Sequence, residues 1–181
     1  MGKVARVLLA MSLVVPLIAV VAGPAGAVTG TTCKTFSASG SYSPPLPKLG
    51  VSTVVTSKVK ATANLGGCSG GGVTSGVATT LYTYKGNCNT FVTNKGGVIS
   101  GASSSIKWSN GQTSTTTVTS TALSKPGVQP AVILLTTKVT KGLFAGTTAS
   151  GKVLGTSVKG ACISTGLGTF KLAGTGPTVF K

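Results

Sequence analysis

Aspartate, glutamate and histidine are all absent from the 181 residues, against 16 lysines and arginines. The absence of side-chain carboxylates and imidazoles removes the usual general acids and bases. It also removes the oxygen cluster that a calcium site requires. Four cysteines are present, but no two stand in a C-x-x-C pair and no histidine supplements them, so a zinc site is excluded. Arginine stops at Arg6 and aromatics make up only 5% of the chain. Base-specific nucleic-acid readout and base stacking therefore lack their usual side chains. No stretch shows helical periodicity of useful length. Beyond residue 27 the longest apolar run is Ala131 to Leu135, far short of a transmembrane helix.

The N-terminus has the anatomy of a secretory signal. Lys3 and Arg6 give a positive start, Val7 to Val21 is apolar, and Ala25-Gly26-Ala27 is a small-x-small cleavage site. The expected organisation is a signal peptide over residues 1–27 and a single all-β domain over 28–181. Cleavage after Ala27 leaves 154 of the 181 residues and 14 of the 16 basic side chains, all of them lysine. That length suits one domain. An even number of cysteines in an exported chain reads as two disulfides.

Period-two alternation recurs along the domain. Val51, Val55, Val59, Ala61, Ala63 and Leu65 share one face of a segment whose other face carries Thr56, Lys58, Lys60 and Thr62. Such a pattern is a half-buried antiparallel strand. Phe36, Ala38, Gly40 and Tyr42 share a parity in the preceding strand, and Val73, Val77 and Leu81 in the following one. Ile106 and Trp108 lie opposite Ser105, Lys107 and Ser109. Turn signals punctuate these runs: Pro44 to Pro47, the glycines around Cys68, Asn110-Gly111, Lys125 to Pro130, and Gly142 with Gly146. Strands are expected at about 33–43, 51–65, 73–84, 97–108, 112–123, 131–140, 146–158 and 167–175, with a short ninth at 178–181. The stretch from Lys85 to Gly96 carries no clear signal. The expected fold is an antiparallel meander forming a β-sandwich or a flattened up-and-down barrel. Joining the first strand to the eighth would remove exposed edges. In a meander, alternate strands run in opposite directions. Cys33 and Cys68 then fall at one end, and Cys88 and Cys162 at the other, which predicts the pairs Cys33–Cys68 and Cys88–Cys162.

Few residues suggest chemistry. Ser104-Ser105-Ile106-Lys107 matches a serine–lysine pattern that works on a helix, but positions three apart on a strand face opposite ways. No catalytic, cofactor-binding or metal-binding residue is therefore assigned. Trp108 could stack on a carbohydrate, but its shared parity with Ile106 assigns it to the core. Tyr82 and Tyr84 share a face, and cross-strand packing is their expected role. Lys58, Lys60, Lys107, Lys138 and Lys171 each oppose their strand's apolar face. They are the candidate contacts for a polyanion, because a field of one sign attracts charge of the other.

Four features carry a resemblance. They are the early cysteine followed by Phe36-Ser37-Ala38-Ser39-Gly40 and Tyr42-Ser43-Pro44; the Leu65-Gly66-Gly67-Cys68 turn; Ile106-Lys107-Trp108-Ser109-Asn110-Gly111 with its threonine-rich return strand; and Gly142-Leu143-Phe144-Ala145-Gly146. On these motifs the chain resembles small secreted all-β proteins of actinobacteria, a group of unknown function. The resemblance implies a fold and an export route and carries no activity. The leading expectation is a secreted, non-enzymatic protein of the cell envelope or medium that binds anionic envelope polymers weakly. The alternatives are a structural or adhesion-like module with incidental charge, and a small-ligand carrier if the strands close into a barrel.

Overall fold

The computed structural model describes residues 30–93, 98–123, 131–155 and 162–181. The signal-peptide reading of residues 1–27 and the turn at Lys125 to Pro130 lie outside them. The strands are β1 (Thr32–Leu46), β2 (Val55–Ser69), β3 (Ser75–Gly86), β4 (Val98–Trp108), β5 (Thr113–Leu123), β6 (Ala131–Gly142), β7 (Thr148–Gly155), β8 (Leu167–Gly174) and β9 (Thr178–Phe180). One short helix, α1 (Cys88–Thr93), lies between β3 and β4. Each strand from β1 to β8 pairs antiparallel with its neighbour in sequence, and β1 also pairs with β8. The sheet is thus a closed up-and-down barrel, and the choice between sandwich and barrel falls to the barrel. β9 extends the β8 stave by pairing with both β1 and β7. The ring is not paired along its whole height: among the described residues the β4–β5 ladder runs Ser103–Lys107 against Thr113–Thr117, and the β7–β8 ladder Val153–Gly155 against Leu172–Gly174.

Alternation decides which residues face the interior. Val59, Ala63 and Leu65 of β2 are buried, while Lys58, Lys60 and Thr62 between them are exposed. On β1, Tyr42 is buried and Phe36, Ala38 and Gly40 are half-buried, as their shared parity predicts. β3 reverses the expectation: Val77 and Leu81 point outward at 47% and 56% exposure, and Ala78 and Tyr84 point in. The reason is space. A side-chain carbon on inward-facing Gly76 would come within 2.8 Å of the Trp108 ring. The Gly76–Ala78 end of β3 therefore needs small residues inside, the tyrosines Tyr82 and Tyr84 fill the other end, and the aliphatics Val77 and Leu81 face water, where single exposed apolar side chains are common.

Several element boundaries also move. Pro44 and Pro45 do not break β1; the strand continues to Leu46, with a cis Ser43–Pro44 peptide and a register shift against β8 between Ser41 and Leu46. Proline is tolerated at such irregularities because one ladder hydrogen bond is already missing. The glycines before Cys68 lie within β2, and the turn falls at Gly70 to Gly72, all with positive φ. β2 starts at Val55, because the Asn87 side-chain amide donates to the carbonyls of Val51, Ser52 and Thr53 and holds that segment as a loop. Between β4 and β5 only Gly111 takes positive φ (82°); Asn110 instead accepts from the Gln112 N–H through its side chain.

Both predicted disulfides form, Cys33–Cys68 and Cys88–Cys162. Each belongs to a different buried cluster. Around Cys33–Cys68, Trp108, Phe144 and Phe180 pack at ring-centroid distances of 5.2 to 5.9 Å. Around Cys88–Cys162, Tyr42, Tyr84 and Phe170 are buried and Phe91 packs against them. The two clusters cap the two ends of the barrel.

Trp108 is a core residue at 2% exposure. Its indole N–H donates to Ser114 Oγ at 2.8 Å, and Ser114 Oγ donates onward to the Leu143 carbonyl. Ser114→Ala leaves a buried indole donor without an acceptor. It is expected to cost about 1–3 kcal/mol, the penalty for an unsatisfied buried polar group. Urea unfolding midpoints of the two proteins check this. A loss below about 0.5 kcal/mol would mean that the indole finds another acceptor or is not sealed from water.

Candidate functional site

The outer face and the interior offer two different chemistries. Every lysine among the described residues is exposed: Lys34 on β1, Lys58 and Lys60 on β2, Lys85 on β3, Lys107 on β4, Lys138 and Lys141 on β6, Lys152 on β7 and Lys171 on β8, with Lys48 in a loop and Lys181 at the end. The five predicted polyanion contacts do not converge. Lys58 and Lys60 lie opposite Thr83 and Leu81 on β3, Lys107 opposite Thr113 on β5, Lys138 opposite Thr148 on β7, and Lys171 opposite Ser39 on β1. Charge is thus spread around the barrel wall, with β5 the one described strand of the ring that carries none. The local sequence accounts for this: the lysines occupy outward strand positions, where serine and threonine are their commonest neighbours. A lysine on nearly every stave is incompatible with the apolar outer band of a membrane barrel. No helix among the described residues is long and apolar enough to cross a membrane.

Inside, at mid-barrel, lies a cavity of about 190 Å³. Its geometry follows from register. Ala38, Ala63 and Ala78 stand directly opposite one another on β1, β2 and β3. One step along, Ala61, Thr80, Ser104 and Thr116 form a second row across β2 to β5. All seven line the cavity. An eight-stranded barrel is just wide enough for side chains to fill it or for one small ligand to fit. Alanine at three adjacent staves leaves that width unfilled. Gly40, next to Ala61, cannot be larger, because a side-chain carbon there would strike the Phe170 ring.

The cavity is not sealed: it is partly open to solvent, and Ala38, Ala61 and Thr80 of its wall are only half-buried. Two hydroxyls of its wall, Thr80 and Ser104, hydrogen-bond to each other at 2.6 Å. Among the described residues no buried side-chain nitrogen or oxygen lacks a partner.

The three tyrosines gather toward the Cys88–Cys162 end, and Tyr82 also lines the cavity. Burial pushes the phenols of Tyr42, Tyr82 and Tyr84 above the usual range, and for Tyr42 the neighbouring Tyr82 and Tyr84 add to the effect. Tyr84 shares a hydrogen bond with Thr90 at 3.2 Å. These groups stay neutral at ordinary pH and serve packing. The Ser104 and Lys107 of the serine–lysine pattern face opposite ways, Ser104 into the cavity and Lys107 to solvent. Their separation by the sheet prevents one from activating the other.

The cavity is the feature that sequence reasoning missed. Its signal was present as Ala61 and Ala63 at alternate positions of β2 and Ala38 on β1, but only the register between strands brings Ala38, Ala63 and Ala78 side by side. The helix α1 was missed as well; it occupies the stretch after Lys85 that showed no pattern. No protein-family model matches the chain, and no curated protein and no solved structure is significantly similar to it.

Proposed function

We propose that this is an exported, non-enzymatic cationic barrel of the cell envelope or surrounding medium, holding to anionic polymers through its outer face. The observation that supports this most is the combination of lysine on nearly every stave with a sequence that has no acidic side chain to neutralise it. Such a surface attracts flexible chains of phosphate or carboxylate from any side. Lysine presents point charges rather than planar forks, so affinity is modest and selectivity among anions small. Attraction rests on counterion release and is independent of polymer sequence. Two disulfides accord with an oxidising compartment.

The test is retention on an anionic polysaccharide or a teichoic-acid-like matrix across a salt series. The protein is expected to bind at low salt and elute well below 1 M, where the screening length has fallen to about 3 Å. If a polymer meets about five lysines at once, log K falls with log salt at a slope of about −3.5. Two double variants, Lys58→Gln/Lys60→Gln and Lys138→Gln/Lys141→Gln, should weaken retention by similar amounts. Failure to bind at low salt would favour the structural module with incidental charge. Loss confined to one double variant would replace the diffuse surface with a local patch.

A further inference from the structure

The lysine surface makes no use of the cavity, and the wall of that cavity has a definite chemistry. We propose that the barrel interior is a separate binding site for one neutral, compact ring molecule bearing a single hydroxyl, carbonyl or N–H group.

Charge is settled by the lining. No lysine lines the cavity, every described lysine faces solvent, and the sequence has no acidic side chain. An ion placed there would lose its hydration and gain no counter-charge, which costs far more than burial of a neutral body returns. Size follows from volume. A dry engineered cavity of about 150 Å³ accepts benzene. In proportion, about 190 Å³ takes roughly seven to eight non-hydrogen atoms. Orientation follows from the two rows of the wall. Ala38, Ala63 and Ala78 offer a shallow apolar floor for a ring. Thr80, Ser104 and Thr116 offer hydroxyls on the adjoining staves. Each hydroxyl has one donor and two acceptor positions, and the Thr80–Ser104 bond uses one donor and one acceptor of that pair. A donor and several lone pairs remain, enough for one polar group on the ligand. Strand alternation puts this wall on the opposite side of the sheet from the lysines, so the two sites are independent.

The experiment titrates the folded protein, with its disulfides intact, with p-cresol, toluene and benzoate, following alanine methyl resonances and the melting temperature. Both neutral probes are expected to shift the Ala63 and Ala78 methyls saturably, one molecule per chain, and to raise the melting temperature with concentration. Benzoate at equal concentration leaves these methyls unmoved. Thr80→Val weakens p-cresol about tenfold, the worth of one hydrogen bond, and leaves toluene within about twofold. Ala78→Val fills part of the space and weakens both neutral probes at least tenfold, without lowering the melting temperature. Absence of interior shifts with both neutral probes at millimolar concentration would overturn the proposal, as would benzoate binding inside as tightly as p-cresol. If Ala78→Val fails to fold, the Thr80→Val contrast decides, and equal losses for p-cresol and toluene refute the assigned orientation.

Discussion

From pH 8 down to pH 4 the stability of this protein is expected to stay nearly constant, and above pH 10 to fall steeply. Acid unfolding ordinarily follows from protonating carboxylates that the native state holds charged, or from charging buried histidines. The sequence has neither side chain. The alkaline side is different, because burial raises the phenols of Tyr42, Tyr82 and Tyr84 above their ordinary range. An unfolded chain releases those protons near pH 10. The folded protein keeps them to higher pH, so above pH 10 it binds more protons than the unfolded state. Stability then falls with pH, by about 1.4 kcal/mol per unit from Tyr42 alone, with Tyr82 and Tyr84 adding in the same direction. This contribution is fully present below pH 10 and is lost as the pH climbs toward the raised values. Denaturant midpoints measured from pH 3 to pH 12 check this, and Tyr42→Phe should lessen the alkaline slope by about 1.4 kcal/mol per unit. A steep fall between pH 5 and pH 3 would contradict the account.

The second large effect concerns Cys88–Cys162. This bridge spans 74 residues and joins α1 to the helical turn just before β8. Loop-closure entropy assigns it about 4.5 kcal/mol, against about 3.8 for Cys33–Cys68, whose separation is 35. The structural contexts widen the difference. Cys33 and Cys68 are register partners on β1 and β2, which the ladder already holds together. Cys88 and Cys162 are not ladder partners, and backbone hydrogen bonds tie the segment after β1 to both: Leu49 N–H donates to the Cys162 carbonyl, and Cys88 N–H donates to the Pro47 carbonyl. Cys88→Ser/Cys162→Ser should therefore cost more than Cys33→Ser/Cys68→Ser and loosen that end of the barrel. Guanidinium midpoints, with hydrogen exchange at Leu49 and Cys88, provide the comparison. A larger loss from the Cys33–Cys68 variant would invert the argument.

Much of this architecture was legible because alternation is a strong signal where one face is wet and the other dry. Strand count, the β4–β5 hairpin, both disulfides and the core position of Trp108 followed from it. The inverted face of β3 shows its limit. Hydrophobicity there pointed to Val77 and Leu81, but the interior at that stave had to admit the Trp108 ring and then a hollow, so Gly76, Ala78 and Thr80 face inward. Prolines misled for a related reason: Pro44 and Pro45 sit where the β1–β8 register slips, and a shift between partners is invisible in either strand alone. The cavity was unreadable on the same ground. Alanine on one strand is unremarkable, and alanine opposite alanine opposite alanine is a wall.

The two proposals divide the barrel, with polyanion contact on its outside and neutral ligand chemistry on its inside. A single titration addresses that division: the protein carrying ¹³C-labelled lysine and alanine, with polyphosphate added at low salt and then p-cresol. The account predicts that polyphosphate moves lysine side-chain resonances around the barrel and leaves the Ala63 and Ala78 methyls in place, that salt reverses those shifts, and that p-cresol then moves the alanine methyls alone. Lysine resonances unmoved by polyphosphate at low salt, or alanine methyls that shift with it, would contradict it.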